Sequence, residues 1–139
     1  MDRLEEIRKR FASSEFQAFV GATLEHVEAD RVDVSMDVEP RHLNLSGTLH
    51  GGMIATLADT ATGLAYRSGL GDGESAVTSS LSVAFLRPGG LGPVTARGRV
   101  VKRGSRFGYA EADVEDADGR LLARATATFT VLAAPDAGQ

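Results

Sequence analysis

The chain reads as an α+β domain in which one long helix packs on an antiparallel sheet. Three observations carry that reading. A stretch of small and apolar residues at helical spacing runs from about His50 to Ser68, an alternating strand precedes it, and four runs rich in Val, Thr, Phe and Leu follow it between turn signals. A length of 139 residues fits one domain with a sizeable core.

Residues 1–19 are expected to be an N-terminal helical segment. Leu4, Ile7, Phe11, Phe16 and Phe19 recur among charges near a 3.6-residue period, with a break near Ser13 and Ser14, and the segment should act as a lid or brace. The domain proper is expected over 20–132. A strand around 21–28 turns at Ala29 and Asp30 into the clearest strand of the chain, where Val32, Val34, Met36 and Val38 alternate with Asp33, Ser35, Asp37 and Glu39. Pro40 ends it.

Beyond the helix the runs lie at about 76–86, 93–103, 106–116 and 120–132. Arg-Pro-Gly-Gly at 87–90, Arg-Gly-Ser at 103–105 and Asp-Ala-Asp-Gly at 116–119 separate them. Loops this short join antiparallel hairpins, so a four-strand meander is expected. Residues 133–139 read as a frayed tail.

A net charge of -4 with scattered acids argues against nucleic-acid binding, and the absence of cysteine removes disulfides, thiolate metal sites and a Cys nucleophile. His26 and His42 have no partners at ligand spacing, so no metal is expected. The charged first ten residues lack the apolar run of a signal peptide, and no segment offers 18 uninterrupted apolar residues. The expectation is a cytoplasmic protein that touches no membrane.

The helix carries the chemistry. Met53, Ile54, Leu57, Ala58, Ala61, Leu64 and Ala65 fall on one stripe that should face the sheet. Ala55, Asp59, Thr62, Gly63 and Tyr66 fall opposite, where an ordinary surface helix would carry Lys and Glu; a lone carboxylate among small residues is a candidate for a reaction site. At the helix start, Gly51 and Gly52 leave the first amides uncovered, and such N–H groups hold an anion or a developing oxyanion. Gly51 and Asp59 are eight residues apart, roughly 12 Å along a helix. Both cannot reach one carbonyl within a chain, so a reaction using both needs two chains, and a two-fold dimer makes two equal sites.

The motif Asn44-x5-His50-Gly51-Gly52-x7-Asp59, in its Leu-Ala-Asp context, resembles the hotdog-fold thioesterases, and within them the PaaI-type acyl-CoA thioesterases. The likeness spans residues 20 to 132. It implies a long central helix wrapped by a curved antiparallel sheet, homodimers joined sheet edge to sheet edge with shared active sites, and pairing of dimers into a homotetramer. It further implies that the Gly51 amide polarises the thioester carbonyl, that Asn44 positions substrate or water, and that Asp59 of the partner subunit is general base or nucleophile. A hydroxyl is expected at the next strand, with Thr78 the best match and Ser79 the alternative. His50 is read chiefly as fixing the helix start, with a catalytic base role as the lesser reading. Coenzyme A belongs to the substrate, so no separate cofactor is expected.

For the CoA phosphates the basic groups are Arg87 and the turn Lys102, Arg103, Gly104 and Arg106, with a merely solvated hairpin as the alternative. The acyl group is left open between aryl, such as phenylacetyl, and a short or medium alkyl chain. Two competing functions remain. A hotdog hydratase or dehydratase would need a proline-rich His motif that this chain lacks, and enoyl product without thiol release would reveal it. A non-catalytic acyl-CoA-binding module usually carries a DNA-binding segment, for which the first 20 residues are too few.

Overall fold

The computed structural model describes residues 2–133, so the segment expected to fray lies, beyond its first residue, outside the described residues. Two short helices open the chain, α1 (Arg3–Ser13) and α2 (Glu15–Val20). Ser14 separates them: its backbone is extended and its hydroxyl accepts from the Gln17 amide at 3.2 Å, capping α2 as it ends α1. Gly21, at φ 82, closes α2 in the left-handed conformation that a glycine adopts without strain. Ile7 buries itself under this brace, and Arg3 ties it to the Gly71 carbonyl at 2.7 Å.

The strands are β1 (Ala22–Glu28), β2 (Arg31–Val38), β3 (Ser75–Phe85), β4 (Gly92–Arg103), β5 (Phe107–Asp116) and β6 (Leu121–Leu132), with the long helix α3 (Gly51–Arg67) between β2 and β3. They form one antiparallel sheet in the order β1-β2-β4-β5-β6-β3. The expected four-strand meander is therefore corrected to three. β3 pairs with β6 at the sheet edge, and the 86–91 link crosses from that edge to β4. Three strand spacings amount to about 14 Å, and six extended residues reach about 20 Å, so a link this short suffices for a crossover as well as for a turn. The Leu86 and Arg87 amides anchor the link, both donating to the Leu122 carbonyl.

Small residues set how α3 sits. Ala96, Ala110, Ala112, Ala123, Ala125 and Ala127 line the inner sheet face against Ala58, Ala61 and Ala65, all buried. Any Cβ on Gly98 of β4 would stand 2.5 Å from the Ala61 carbonyl oxygen, so the helix backbone touches the strand. Because the helix sinks this far into a curved sheet, its buried arc is wider than the expected stripe. Thr62 and Tyr66, expected on the open face, are buried. Thr62 satisfies its hydroxyl on the Ala58 carbonyl at 2.8 Å. Tyr66 stacks on Phe129 with ring centroids 4.7 Å apart, directly over Gly108. Ala55, Asp59 and Gly63 stay half-exposed, as do Met53 and Leu64.

The outer face of the sheet carries a charge ladder. Arg97 lies 2.9 Å from Asp33 and 3.5 Å from Glu115, Arg99 lies 2.9 Å from Glu111, and Arg124 lies 2.8 Å from Asp113. Burial raises the Asp113 carboxyl, but the Arg124 hydrogen bond and the charges of Arg99 and Arg124 outweigh it and hold the group below its usual range. No helix among the described residues is long and apolar enough to cross a membrane.

Candidate active site

Two half-sites lie along the exposed side of α3. The first is at its start. His50 is the N-cap of α3: its Nδ1 accepts the Gly52 amide at 2.8 Å, and its own amide donates to the His42 carbonyl at 2.9 Å. That bond occupies the Gly52 N–H. The Gly51 N–H makes no hydrogen bond among the described residues, so it is the donor left open at the positive end of the helix. A cavity shared by Asn44, Gly51, Ile54, Phe85 and Arg87 opens onto it. An added Cβ at Gly51 would stand 3.2 Å from the exposed Phe85 ring, so a side chain there would make the ring shift by a few tenths of an ångström.

Asn44 organises the loop beneath. Its Oδ1 accepts the Ser46 and Thr48 amides at 2.9 and 3.1 Å, and its Nδ2 donates to the Thr48 hydroxyl at 2.9 Å. One side chain thus fixes the turn that delivers His50 and Gly51. His42 does similar work deeper in, with Nδ1 accepting from the Glu39 amide and Nε2 facing the Val20 carbonyl, each at 2.9 Å.

The second half-site is two turns further along. Thr78 of β3 donates to Asp59 Oδ1 at 2.8 Å. Ser79, the alternative hydroxyl, donates instead to the Thr128 carbonyl at 3.0 Å. A bulge between Thr78 and Ser80 separates the two: Thr78 pairs with inward-facing Phe129 and Ser80 with outward-facing Thr128, so Ser79 is the extra residue. The Asp59 cavity is lined by Gln17, Gly63, Leu64, Arg67, Thr78 and Phe129. It shares no residue with the Gly51 cavity. Within one chain, then, the open Gly51 N–H and the Asp59 carboxylate lie in different cavities.

The expected CoA-binding cations divide. Arg87 is exposed at the Gly51 cavity, and Lys102 and Arg106 are exposed around the β4–β5 turn. Arg103 points inward at the bulge near Val101: its Nε and Nη2 donate to Asp30 Oδ1 at 2.9 and 2.7 Å, Nη2 also donates to the Ala65 carbonyl at 3.1 Å, and the guanidinium covers the Tyr66 ring at 4.6 Å. It is committed to holding the end of α3. Gly104 makes the turn, where a Cβ would meet the Phe107 carbonyl oxygen at 2.5 Å. Among the described residues no group of three or more His, Asp or Glu is placed to hold a metal ion.

Sequence reasoning missed Gln17, Phe85, Arg67 and Phe129 at these cavities. Phe85 ends an alternating strand and Arg67 stands at i+8 from Asp59, so a signal existed for both. Gln17 gave none, since its Nε2 reaches Thr60 at 3.4 Å only through the packing of α2 on α3.

Residues 46–123 match the family model described as the thioesterase superfamily. Human acyl-coenzyme A thioesterase 13 is 29% identical, over 86% of this chain and 87% of its own. A crystal structure of a thioesterase family protein from Silicibacter pomeroyi superposes with a TM-score of 0.87 at 30% identity, covering 93% of this chain and 97% of that one. The PaaI protein of the E. coli phenylacetic acid degradation operon shares the fold, with a TM-score of 0.85 at 23% identity over 96% and 98% of the two chains.

Proposed function

Because the chain belongs to the thioesterase superfamily and is a thioester hydrolase of the hotdog fold, we propose that it hydrolyses acyl-CoA esters to free acid and CoA at sites shared between two copies. The observation that carries the shared site is the division described above. An unpaired Gly51 amide and Asp59, which Thr78 of β3 holds, lie on one helix but open into separate cavities, so one thioester reaches both only if the second comes from another copy. Edge strand β3 supports that copy's placement. It is eleven residues long, carries no charge and no proline, exposes Val77 and Phe85, and among the described residues has no paired strand on one side.

In this reading the thioester carbonyl oxygen sits on the Gly51 N–H, which strengthens its bond as charge develops during attack. Asp59 from the second copy, steadied through one oxygen by Thr78, uses the other to orient and deprotonate water, or attacks the carbonyl itself to give an anhydride that water opens; in either course the C–S bond breaks and CoA leaves as the thiolate, which takes up a proton. Asn44 acts through the loop it folds. Arg87, Lys102 and Arg106 are the free cations for the CoA phosphates, and Arg103 leaves that set. No cofactor enters the reaction, the dimers pair further into tetramers, and the acyl group is aryl or short to medium alkyl. Thiol release measured across aryl, short and long acyl-CoA esters tests the reading: turnover of at least one class is expected, and none by a folded dimer would overturn it.

A further inference from the structure

The Asp59 cavity has a cation at its other end. Asp59, Gly63 and Arg67 stand at i, i+4 and i+8 on the open side of α3, and all three line that one cavity, with Leu64 and Phe129 as apolar walls. Gly63 leaves the floor clear, since even an added Cβ would approach the Phe129 ring no closer than 4.0 Å. Asp59 and Arg67 are about 12 Å apart along the axis, too far for a direct pair.

Arg67 is half-buried, yet among the described residues its guanidinium makes one long bond, to the Ala76 carbonyl at 3.4 Å. Glu6, Asp72 and Glu74 line the adjoining groove, and among the described residues none of them forms an ion pair with Arg67. Glu6 lies between Arg3 and Arg10 at 3.5 and 3.4 Å, and Glu74 accepts the Gly71 amide at 2.8 Å. A cation near a helix C-terminus complements the dipole, which accounts for an arginine at this position. It does not account for a nearly unpartnered guanidinium on a side chain that lines the Asp59 cavity as well as the grooves beside α1, bonded only to Ala76 of the Asp59 cavity's own wall.

Resting on the thioesterase reading above, we propose that Arg67 is a specificity residue for acyl-CoA esters whose short acyl chain ends in a carboxylate. With the thioester at Asp59 and the chain lying over Gly63, the distal carboxylate meets the guanidinium. Planar, two-pronged pairing of that kind is the geometry an arginine offers best. A neutral chain of equal length leaves the cation unpaired and loses the charge-assisted bonds.

The test compares kcat/KM for glutaryl-CoA with that for pentanoyl-CoA in the wild type, Arg67→Gln and Arg67→Lys, with circular dichroism confirming each fold. The wild type should favour glutaryl-CoA by about 10- to 100-fold, the worth of hydrogen bonds between charged groups. Arg67→Gln should abolish that ratio and Arg67→Lys should restore part of it. A ratio unchanged in Arg67→Gln, or a wild type that favours pentanoyl-CoA, overturns the anion subsite while the thioesterase reading stands. Failure to release thiol from these or any other acyl-CoA ester overturns both.

Discussion

The Thr78 hydroxyl and Asp59 are joined at 2.8 Å across the gap between β3 and α3, while Ser79 turns away to the strand behind it. One oxygen of the carboxylate is thereby fixed, and the other is left to face the cavity. A single bulge residue decides which hydroxyl of the Thr-Ser-Ser run does this.

Replacing Asp59 with Asn keeps the shape and removes the proposed base or nucleophile. Thiol release should fall by about 10²- to 10⁴-fold, the usual contribution of a positioned proton acceptor, with acyl-CoA binding retained. Thr78→Val should lose about tenfold, one hydrogen bond to a charged group, and Ser79→Ala should lie near the wild type. Initial rates rank the three, and a larger loss in Ser79→Ala than in Thr78→Val would contradict the assignment.

Shared sites predict complementation. Gly51→Pro deletes the open N–H at the first helical position, where proline is tolerated, and Asp59→Ala deletes the carboxylate. Each variant alone should be inactive, and a refolded mixture should recover up to about a quarter of wild-type activity, since half the dimers are hybrid and each hybrid has one intact site. Hybrid dimers without recovery would place both groups in one chain's site.

His50 should behave as a cap. His50→Ala should cost about 1 kcal/mol in denaturant unfolding, and His50→Asn, another capping residue, should restore most of it. The shape of the pH–rate profile should survive both changes. Loss of a limb of that profile in His50→Asn would mark the imidazole as a proton-transfer group instead.

Gly108→Ala should be among the most damaging single methyl additions, because the new carbon would occupy the Tyr66 ring. Overpacking of this kind costs about 1–3 kcal/mol or more, and Tyr66→Leu in the same chain should recover part of it. Melting temperatures of the single and double variants read this directly.

Asp113 sets an acid dependence. Its folded-state pKa is depressed, so the unfolded chain binds the proton more readily, and the stabilising contribution is present above the unfolded value near 3.9 and lost as pH falls through the folded one. Thermal melts of Asp113→Asn should show lower stability at neutral pH and a flatter decline than the wild type below about pH 4. Parallel declines would remove Asp113 as the source.

The sequence exposes whatever is periodic or local. The alternation from Val32 to Val38, the helix from Gly51, and the His50-Gly51-Gly52 step each depend on neighbours within a few residues, and each stands where the pattern puts it. Strand order is not local: the 86–91 link looks like a hairpin because its length satisfies a turn and a crossover alike. The burial of Thr62 and Tyr66 was hidden for a related reason, since it depends on Gly98 and Gly108, more than 30 positions away, letting the helix sink. Arg103 read as a surface cation because a bulge at Val101 reverses the face it would otherwise occupy.

Backbone contact between Gly98 and Ala61 also divides the protein into parts with different freedom to change. The helix that bears Gly51 and Asp59 rests on main-chain atoms, which no substitution can trim, so its register against the sheet is insulated from drift in the surrounding side chains. Apart from Phe129 of β6, the walls of the Asp59 cavity come from α2, the free side of α3 and an edge strand, where side chains can be exchanged without disturbing that seat. New acyl preferences can therefore be acquired by replacing walls while the hydrolytic geometry is inherited intact.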